Sequence, residues 1–232
     1  MDLNRLEKFL GTVDLAAYRE KYLPIKIVEM DLPKNIQALD LLYAVYWAQR
    51  RFIPFESFYK EYETKYHADL ETFRKKTQMC EVCFYKGLPA RIYRTWASII
   101  TQIHAGYVAE SVFGKGTVEM SSLLDHLGAD FQVTYKNKKL NFQVKKETFS
   151  REVRKAKAAK SKLDGQNIAI EYKVPNFEIM QNPVKKRGGY KKAYSDFKLN
   201  WLDTGKIKVL QNGFVVFLPA IFSEIKKKID RA

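Results

Sequence analysis

The amino-acid sequence predicts a protein of the α/β or α+β class, in which a helical N-terminal region precedes a small mixed sheet with flanking helices. Apolar residues recur at helical spacing in the first part of the chain, and short strand-like runs surround turn residues in the second half. The chain has 232 residues, of which 46% are hydrophobic, enough for one large domain with a buried core. We therefore expect a single domain over 1–232, with a helical region over 1–89 and the remaining structure over 90–232.

Two amphipathic helices are predicted in the first half of the chain. The first is indicated by apolar residues three or four positions apart, namely Leu39, Leu42, Tyr43, Tyr46 and Trp47. The second follows Pro89 and carries one apolar stripe, formed by Ile92, Trp96, Ile99, Ile100, Ile103 and Tyr107. Three prolines, Pro24, Pro33 and Pro54, divide the region before that helix into short pieces.

Strand patterns replace the helical ones after Gly114 and Gly116. The runs 131–135 and 140–146 are typical of two strands, and the residues 136–138 between them predict a hairpin turn. Further strands are predicted at 168–174 and 214–218. The intervening sequence contains a basic stretch at 151–162, which has enough Ala and Lys to be helical, and a basic glycine-containing loop at 185–192.

The balance of charge predicts a polyanionic partner. The chain carries 41 Lys and Arg against 26 Asp and Glu, a formal net charge of +15, and like charges repel one another in a compact fold. Nucleic acid fits better than a membrane surface, because the basic residues do not line one face of an apolar-sided helix. The N-terminal residues show no signal-peptide pattern and the longest apolar runs are too short to span a bilayer, so we expect a cytoplasmic protein.

The two cysteines, Cys80 and Cys83, form a C-x-x-C motif. No second pair of Cys or His follows at zinc spacing, so we do not expect a structural zinc site. Two cysteines cannot form a disulfide framework either, which fits a reducing compartment. We expect both to be buried or partly buried free thiols.

The predicted hairpin carries the side chains with the clearest chemistry. Gln143 and Lys145 lie two residues apart on the second strand and therefore share a face. If 136–137 are the centre of the turn, Asp130 lies opposite Gln143, and if 137–138 are the centre, it lies opposite Lys145. Either register brings the three side chains together on one face.

An acid, an amide and a lysine in this arrangement are typical of metal-dependent phosphodiesterases. Asp130 can bind Mg²⁺, Gln143 can offer a neutral oxygen to the ion or its water, and Lys145 can stabilise charge on the reacting phosphate. This is the D-x(n)-(D/E/Q)-x-K pattern of PD-(D/E)xK nucleases, with Gln in the middle place. The pattern is short, however, and a solvated lysine-rich hairpin also produces it by chance.

Longer strings in the sequence resemble one family of nucleases. GADFQV and NFQVKKETF at the hairpin, KYLPIKIVEMDLP at 21–33, ARIYRTWASIITQIH at 90–104 and NGFVVF at 212–217 are similar, in the same order, to the TaqI-type restriction endonucleases, which cut the palindrome TCGA. The resemblance implies a Mg²⁺-dependent type II enzyme that acts on double-stranded DNA in a restriction–modification system. It also implies a PD-(D/E)xK-type nuclease core over 90–232.

The resemblance assigns roles to individual residues. Asp130 matches the central acid of the family, and Asp125 matches a second acid five residues earlier. Lys145 and Lys146 both occupy the lysine pair; strand geometry favours Lys145, and a bulge would favour Lys146. Glu110 lies where many PD-(D/E)xK folds place a helix glutamate, but we expect it to be structural or to cap the helix.

Basic residues outside the hairpin are candidates for contact with DNA. They are Arg151, Arg154, Lys155 and Lys160 in the stretch after the hairpin, and Lys185, Lys186, Arg187 and Lys191 in the glycine-containing loop. Because a palindrome has two-fold symmetry, we expect a homodimer on DNA. The alternative function is a non-catalytic basic DNA-binding protein, which would also bind DNA in a salt-sensitive way but would not cut it.

Overall fold

The computed structural model describes residues 2–148 and 163–231, and the chain divides into two compact units, Met1–Ile103 and His104–Ala232. The predicted basic helix at 151–162, and with it Arg151, Arg154, Lys155 and Lys160, lies outside the described residues. No helix in the described ranges combines the length and the apolar character needed to cross a membrane.

The first unit consists of helices and turns. The helices are α1 (Asp2–Thr12), α2 (Leu15–Tyr22), α3 (Leu39–Leu42), α4 (Phe55–Lys76) and the first part of α5 (Glu81–Phe113), with a 3₁₀ turn at Lys34–Ile36. The helix predicted from the apolar stripe at 39–47 is confirmed, but its second half, Tyr43–Ala48, winds as a π-helix.

Buried aromatic side chains stabilise this unit. The Trp96 indole N–H donates to the Tyr46 hydroxyl (2.8 Å), and that hydroxyl donates to the carbonyl of Ile53 (2.6 Å). Both rings are fully buried, so this chain of hydrogen bonds satisfies the polar atoms that the aromatic residues bring into the core. Phe55 packs edge-on against Trp96, with 5.8 Å between ring centroids.

Helix α5 begins earlier than predicted. It starts at Glu81 and passes through Pro89, whose missing N–H leaves one turn without its usual hydrogen bond. The helix also passes close to the segment before α3, because a Cβ at Gly87 would lie 2.8 Å from the Cβ of Ile27. Its apolar stripe matches the prediction, since Ile92, Trp96 and Ile100 are fully buried.

The second unit contains a four-stranded mixed sheet. Its strands are β1 (Val118–Glu119), β2 (Phe131–Tyr135), β3 (Lys138–Thr148) and β4 (Gln166–Val174), in that spatial order. The first two pairings are antiparallel, and β3 pairs with β4 in parallel. The predicted mixed α/β class with a small sheet is therefore confirmed.

The remaining elements of the second unit are short, apart from the last helix. They are α6 (Ser122–His126), α7 (Phe177–Gln181), α8 (Lys192–Phe197), a π-helical turn at Lys198–Leu202, the antiparallel pair β5 (Ile207–Val209) and β6 (Val215–Phe217), and α9 (Pro219–Arg231). One face of the large sheet is apolar: Phe131 stacks on Phe142 with 4.9 Å between centroids, and Phe222 of α9 packs against both rings.

The hairpin turn decides between the two registers that are compatible with the sequence. Lys136 and Asn137 adopt positive φ values of 48° and 60°, as a two-residue turn that follows the twist of the strands requires. Tyr135 consequently pairs with Lys138, and Phe131 pairs with Phe142. The centre of the turn is therefore 136–137, the first of the two alternatives.

Candidate functional site

Asp130 is anchored where β2 begins. Its own N–H donates to the carbonyl of Phe142 (2.8 Å), and its Oδ2 accepts the N–H of Val144 (N···O 2.5 Å). Phe142 and Val144 lie on either side of Gln143. The Asp130 carboxylate therefore lies beside Gln143, as the hairpin register predicts. Asp130 is only 6% exposed. The strand thus holds a carboxylate in a fixed position largely removed from water.

The electrostatics of Asp130 favour a bound cation. Burial raises the pKa of Asp130 to about 7; the Val144 N–H opposes this rise, the charge of Asp125 adds to it, and the charge of Lys145 opposes it. Burial likewise raises the pKa of Asp125, a half-buried residue of α6. Two partly desolvated carboxylates that repel one another are stabilised in their ionised form by a positive ion between or beside them.

Gln143 and Lys145 share the face of β3 opposite to the apolar core. Both side chains are half-buried, whereas Val144 between them is buried among the apolar residues. Lys146 projects to the side of Val144 by strand alternation, pairs in register with Tyr172 of β4, and is exposed. The structure therefore brings Asp130, Gln143 and Lys145 together, and it places Lys146 on the other face.

A ladder of amide side chains crosses the polar face of the same sheet. The Gln132 amide donates to Asn141 Oδ1 (2.7 Å), and Asn141 Nδ2 donates to Asn167 Oδ1 (3.2 Å) and to the carbonyl of Asp164 (3.2 Å). Gln132 and Asn141 are buried, so their hydrogen bonds stabilise the pairing of β2, β3 and β4 strongly. This ladder was not predicted. The sequence did contain a signal for it, because Gln132 and Asn141 are polar residues that lie opposite one another in the two predicted hairpin strands.

Two residues of β4 also lie near the hairpin and were missed. Glu171 pairs in register with Lys145, and its side chain is exposed. Tyr172 is buried, and its pKa is raised by burial and then by the charge of Asp130. No local pattern could have found them, because the parallel pairing of β3 and β4 joins segments that are distant in sequence.

The predicted basic loop forms a tight, exposed turn. Val184 and Tyr190 form a β-bridge, the Lys185 N–H donates to the carbonyl of Gly189 (2.9 Å), and Gly188 and Gly189 adopt positive φ values of 82° and 72°. The cations of the loop are exposed at Lys185, Lys186 and Arg187 and half-buried at Lys191. The loop therefore presents three adjacent positive charges to solvent.

Other residues singled out in the sequence lie in structural positions. Glu110 accepts the N–H of Gly116 (3.0 Å) just beyond the end of α5, so its carboxylate stabilises the turn that follows the helix. Within 2–148 and 163–231, no three His, Cys, Asp or Glu side chains are grouped so that they could bind a metal. An ion at Asp130 and Asp125 would therefore complete its coordination with amide or carbonyl oxygens, water or phosphate.

The cysteine prediction was wrong about burial, since Cys80 and Cys83 are both exposed.

Comparison with known proteins identifies relatives along nearly the whole chain. The sequence pattern of the family described as TaqI restriction endonuclease matches residues 3–229. The chain is 32% identical to the type II restriction enzyme TaqI of Thermus aquaticus and 30% identical to the type II restriction enzyme TthHB8I of Thermus thermophilus. Each match covers 97% of this chain and 86% of the relative. No solved structure matches the chain.

Proposed function

Because the chain belongs to the TaqI restriction endonuclease family and is thus a type II site-specific deoxyribonuclease, we propose that it hydrolyses double-stranded DNA at the palindrome TCGA with Mg²⁺. The buried Asp130, with a pKa of about 7 beside Asp125 and Lys145, supports the metal-dependent chemistry. The TCGA site is proposed from the resemblance to the family. The named relatives are restriction enzymes, which favours this function over non-catalytic DNA binding.

The proposed core is of the PD-(D/E)xK type and lies within one restriction endonuclease domain over 1–232, with a helical region over 1–89 and the catalytic core and DNA-binding arm over 90–232. Three features of the sheet support this core: the acid at the start of β2, the Q-x-K on β3, and the parallel pairing of β3 with β4. The expected glutamate of the motif is replaced by Gln143. Its neutral amide leaves the negative charge of the site to Asp125 and Asp130.

Each residue of the proposed site has a separate task. Asp130 and Asp125 would hold Mg²⁺, and Gln143 would offer an amide oxygen to the ion or to its water. Held there, Mg²⁺ would supply Lewis-acid stabilisation of the phosphate and lower the pKa of a bound water. Lys145 holds its ammonium group on the same face, where it stabilises negative charge on the reacting phosphate without becoming a ligand.

The basic loop and the basic stretch after β3 are the proposed contacts to DNA. Lys185, Lys186 and Arg187 are exposed on a turn whose backbone is fixed by its own hydrogen bonds, so they can approach phosphates with little further loss of backbone entropy. Lys191 is proposed to contribute beside them. Four residues are proposed from the sequence alone: Arg151, Arg154, Lys155 and Lys160. The proposed assembly is a cytoplasmic homodimer, whose two sites would cut the two strands of the palindrome.

The experiment that tests this function is a digest of plasmid DNA with Mg²⁺, followed by mapping of the ends. We expect double-strand cleavage at TCGA, and cleavage at unrelated sequences or an absence of cutting would refute the proposal. Two adjacent lysines provide a matched control. Lys145→Ala should slow single-turnover cleavage by about 10²- to 10³-fold, whereas Lys146→Ala, on the other face of β3, should leave it nearly unchanged. The reverse result would assign the catalytic role to Lys146.

A further inference from the structure

The two cysteines lie together in solvent at the start of the longest helix. Cys80 directly precedes α5, its carbonyl accepts the N–H of Phe84 (2.9 Å), and its sulfur accepts the N–H of Cys83 (3.1 Å). Cys80 thus caps the helix through both its backbone and its side chain. Both cysteines are exposed, and Val82 between them is 79% exposed, so small reagents have open access to both sulfurs.

The surroundings make Cys80 the more acidic thiol of the pair. Hydrogen bonds from the side chain and then the backbone of Cys83 lower the pKa of Cys80, with a further contribution from the charge of Arg74. The bond to Cys80 raises the pKa of Cys83. The partial positive charge at the start of a long helix favours the thiolate at the capping position as well.

The positive charge near Cys80 is held in place by the end of α4. Arg74 forms an ion pair with Glu71 (2.7 Å) and donates to the carbonyl of Met79, the residue before Cys80 (3.4 Å). Gln78 adopts a positive φ of 55°, which turns the chain back between the two helices. The position of the Cys80 sulfur is therefore determined by a defined turn on one side and by the helix on the other.

We propose that Cys80 and Cys83 form a thiol–disulfide exchange site that reacts with low-molecular-weight disulfides, independently of the nuclease site. The Cys80 thiolate attacks one sulfur of the disulfide, whose S–S bond breaks and releases one thiolate. Cys83 then loses its proton to solvent and attacks the Cys80 sulfur, which releases the second thiolate and closes the protein disulfide. Two cysteine sulfurs are oxidised, and one small disulfide is reduced to two thiols.

The spacing of the pair permits this closure. Residues at i and i+3 lie next to one another on a helix surface, about 5 to 6 Å apart at their Cβ atoms. A disulfide needs about 3.5 to 4.5 Å. The Cys80 sulfur already lies 3.1 Å from the backbone nitrogen of Cys83, so side-chain rotation with a small local shift can close the bond while the helix from Glu81 stays formed. The described residues supply no third ligand of the His, Cys, Asp or Glu type, which argues against a metal at this pair.

The test uses glutathione disulfide, mass spectrometry and the whole protein without DNA or metal. The wild-type product should have the mass of a single chain less two hydrogens, with no glutathione attached and no disulfide to a second chain. Cys83→Ser should retain one glutathione on Cys80, because the resolving thiol is missing. Cys80→Ser should react about tenfold more slowly than Cys83→Ser, and this difference should vanish in denaturant, where the two thiols become equivalent.

Serine at either position keeps a hydrogen-bonding group, and serine is a good capping residue, so both variants should fold. Three results would overturn the proposal: equal rates for the two folded variants, a wild-type chain that keeps glutathione, or a disulfide between two copies of the chain. None of these results depends on nuclease activity, so failure of this inference and failure of the proposed function are distinguishable.

Discussion

Replacing the carboxylate of Asp130 by an amide should stabilise the metal-free protein, although the proposed role of Asp130 means that it should also abolish cleavage. The pKa of Asp130 is raised from 3.8 to about 7, chiefly by burial, so ionisation is easier in the unfolded chain than in the folded one. In Asp130→Asn the group cannot ionise, while its side-chain oxygen can still accept the N–H of Val144. The variant therefore keeps the hydrogen bond and loses the cost of burying a charge.

The size and sign of the effect follow from the two pKa values. The difference is about three units, and each unit corresponds to about 1.4 kcal/mol, so ionised Asp130 costs the metal-free fold up to about 4 kcal/mol. The cost is absent below the unfolded pKa near 4, grows as the pH rises, and is complete above about 7. Wild type should thus lose stability relative to Asp130→Asn between about pH 4 and pH 7.

Urea unfolding in the presence of a chelator, at several values of pH, measures this difference directly. A suitable control is Asp196→Asn, which removes the same charge from an exposed position on α8 and should show no such gap. Mg²⁺ added at about pH 8 should stabilise wild type more than Asp130→Asn, because the ion binds the folded state only. If the gap between wild type and Asp130→Asn does not widen as the pH rises, burial does not control this carboxylate.

Three further predictions concern the ladder, the basic loop and the aromatic core. Asn141→Leu should lower the free energy of unfolding by about 1 to 3 kcal/mol in urea, because Gln132 would be left buried without its partner; an unchanged midpoint would refute this. Replacing the three cations at 185–187 by Ala should reduce the salt slope of DNA binding by about 0.9 for each lost phosphate contact, and an unchanged slope would remove the loop from the interface. Tyr46→Phe should cost about 1 to 3 kcal/mol in a thermal or urea melt, since the Trp96 N–H loses its acceptor; a variant as stable as wild type would contradict the packing described.

The sequence by itself determined the features that depend on neighbours along the chain. Alternation and turn residues located the hairpin, and the apolar stripe located α5. The two-residue spacing of Gln143 and Lys145 is enough to place both side chains on one face of a strand. The resemblance to the family is likewise a property of contiguous strings, and the match over residues 3–229 confirms it.

The tertiary structure decided what depends on residues far apart in sequence. Two turn centres were compatible with the hairpin, and only the positive φ of Lys136 and Asn137 selects the register. The pKa of Asp130 follows from its burial, which local pattern does not reveal. Glu171 is placed opposite Lys145 by a parallel strand pairing between segments that are distant in sequence. The cysteines were expected to be buried or partly buried and are exposed, because the C-x-x-C motif by itself carries no information about burial.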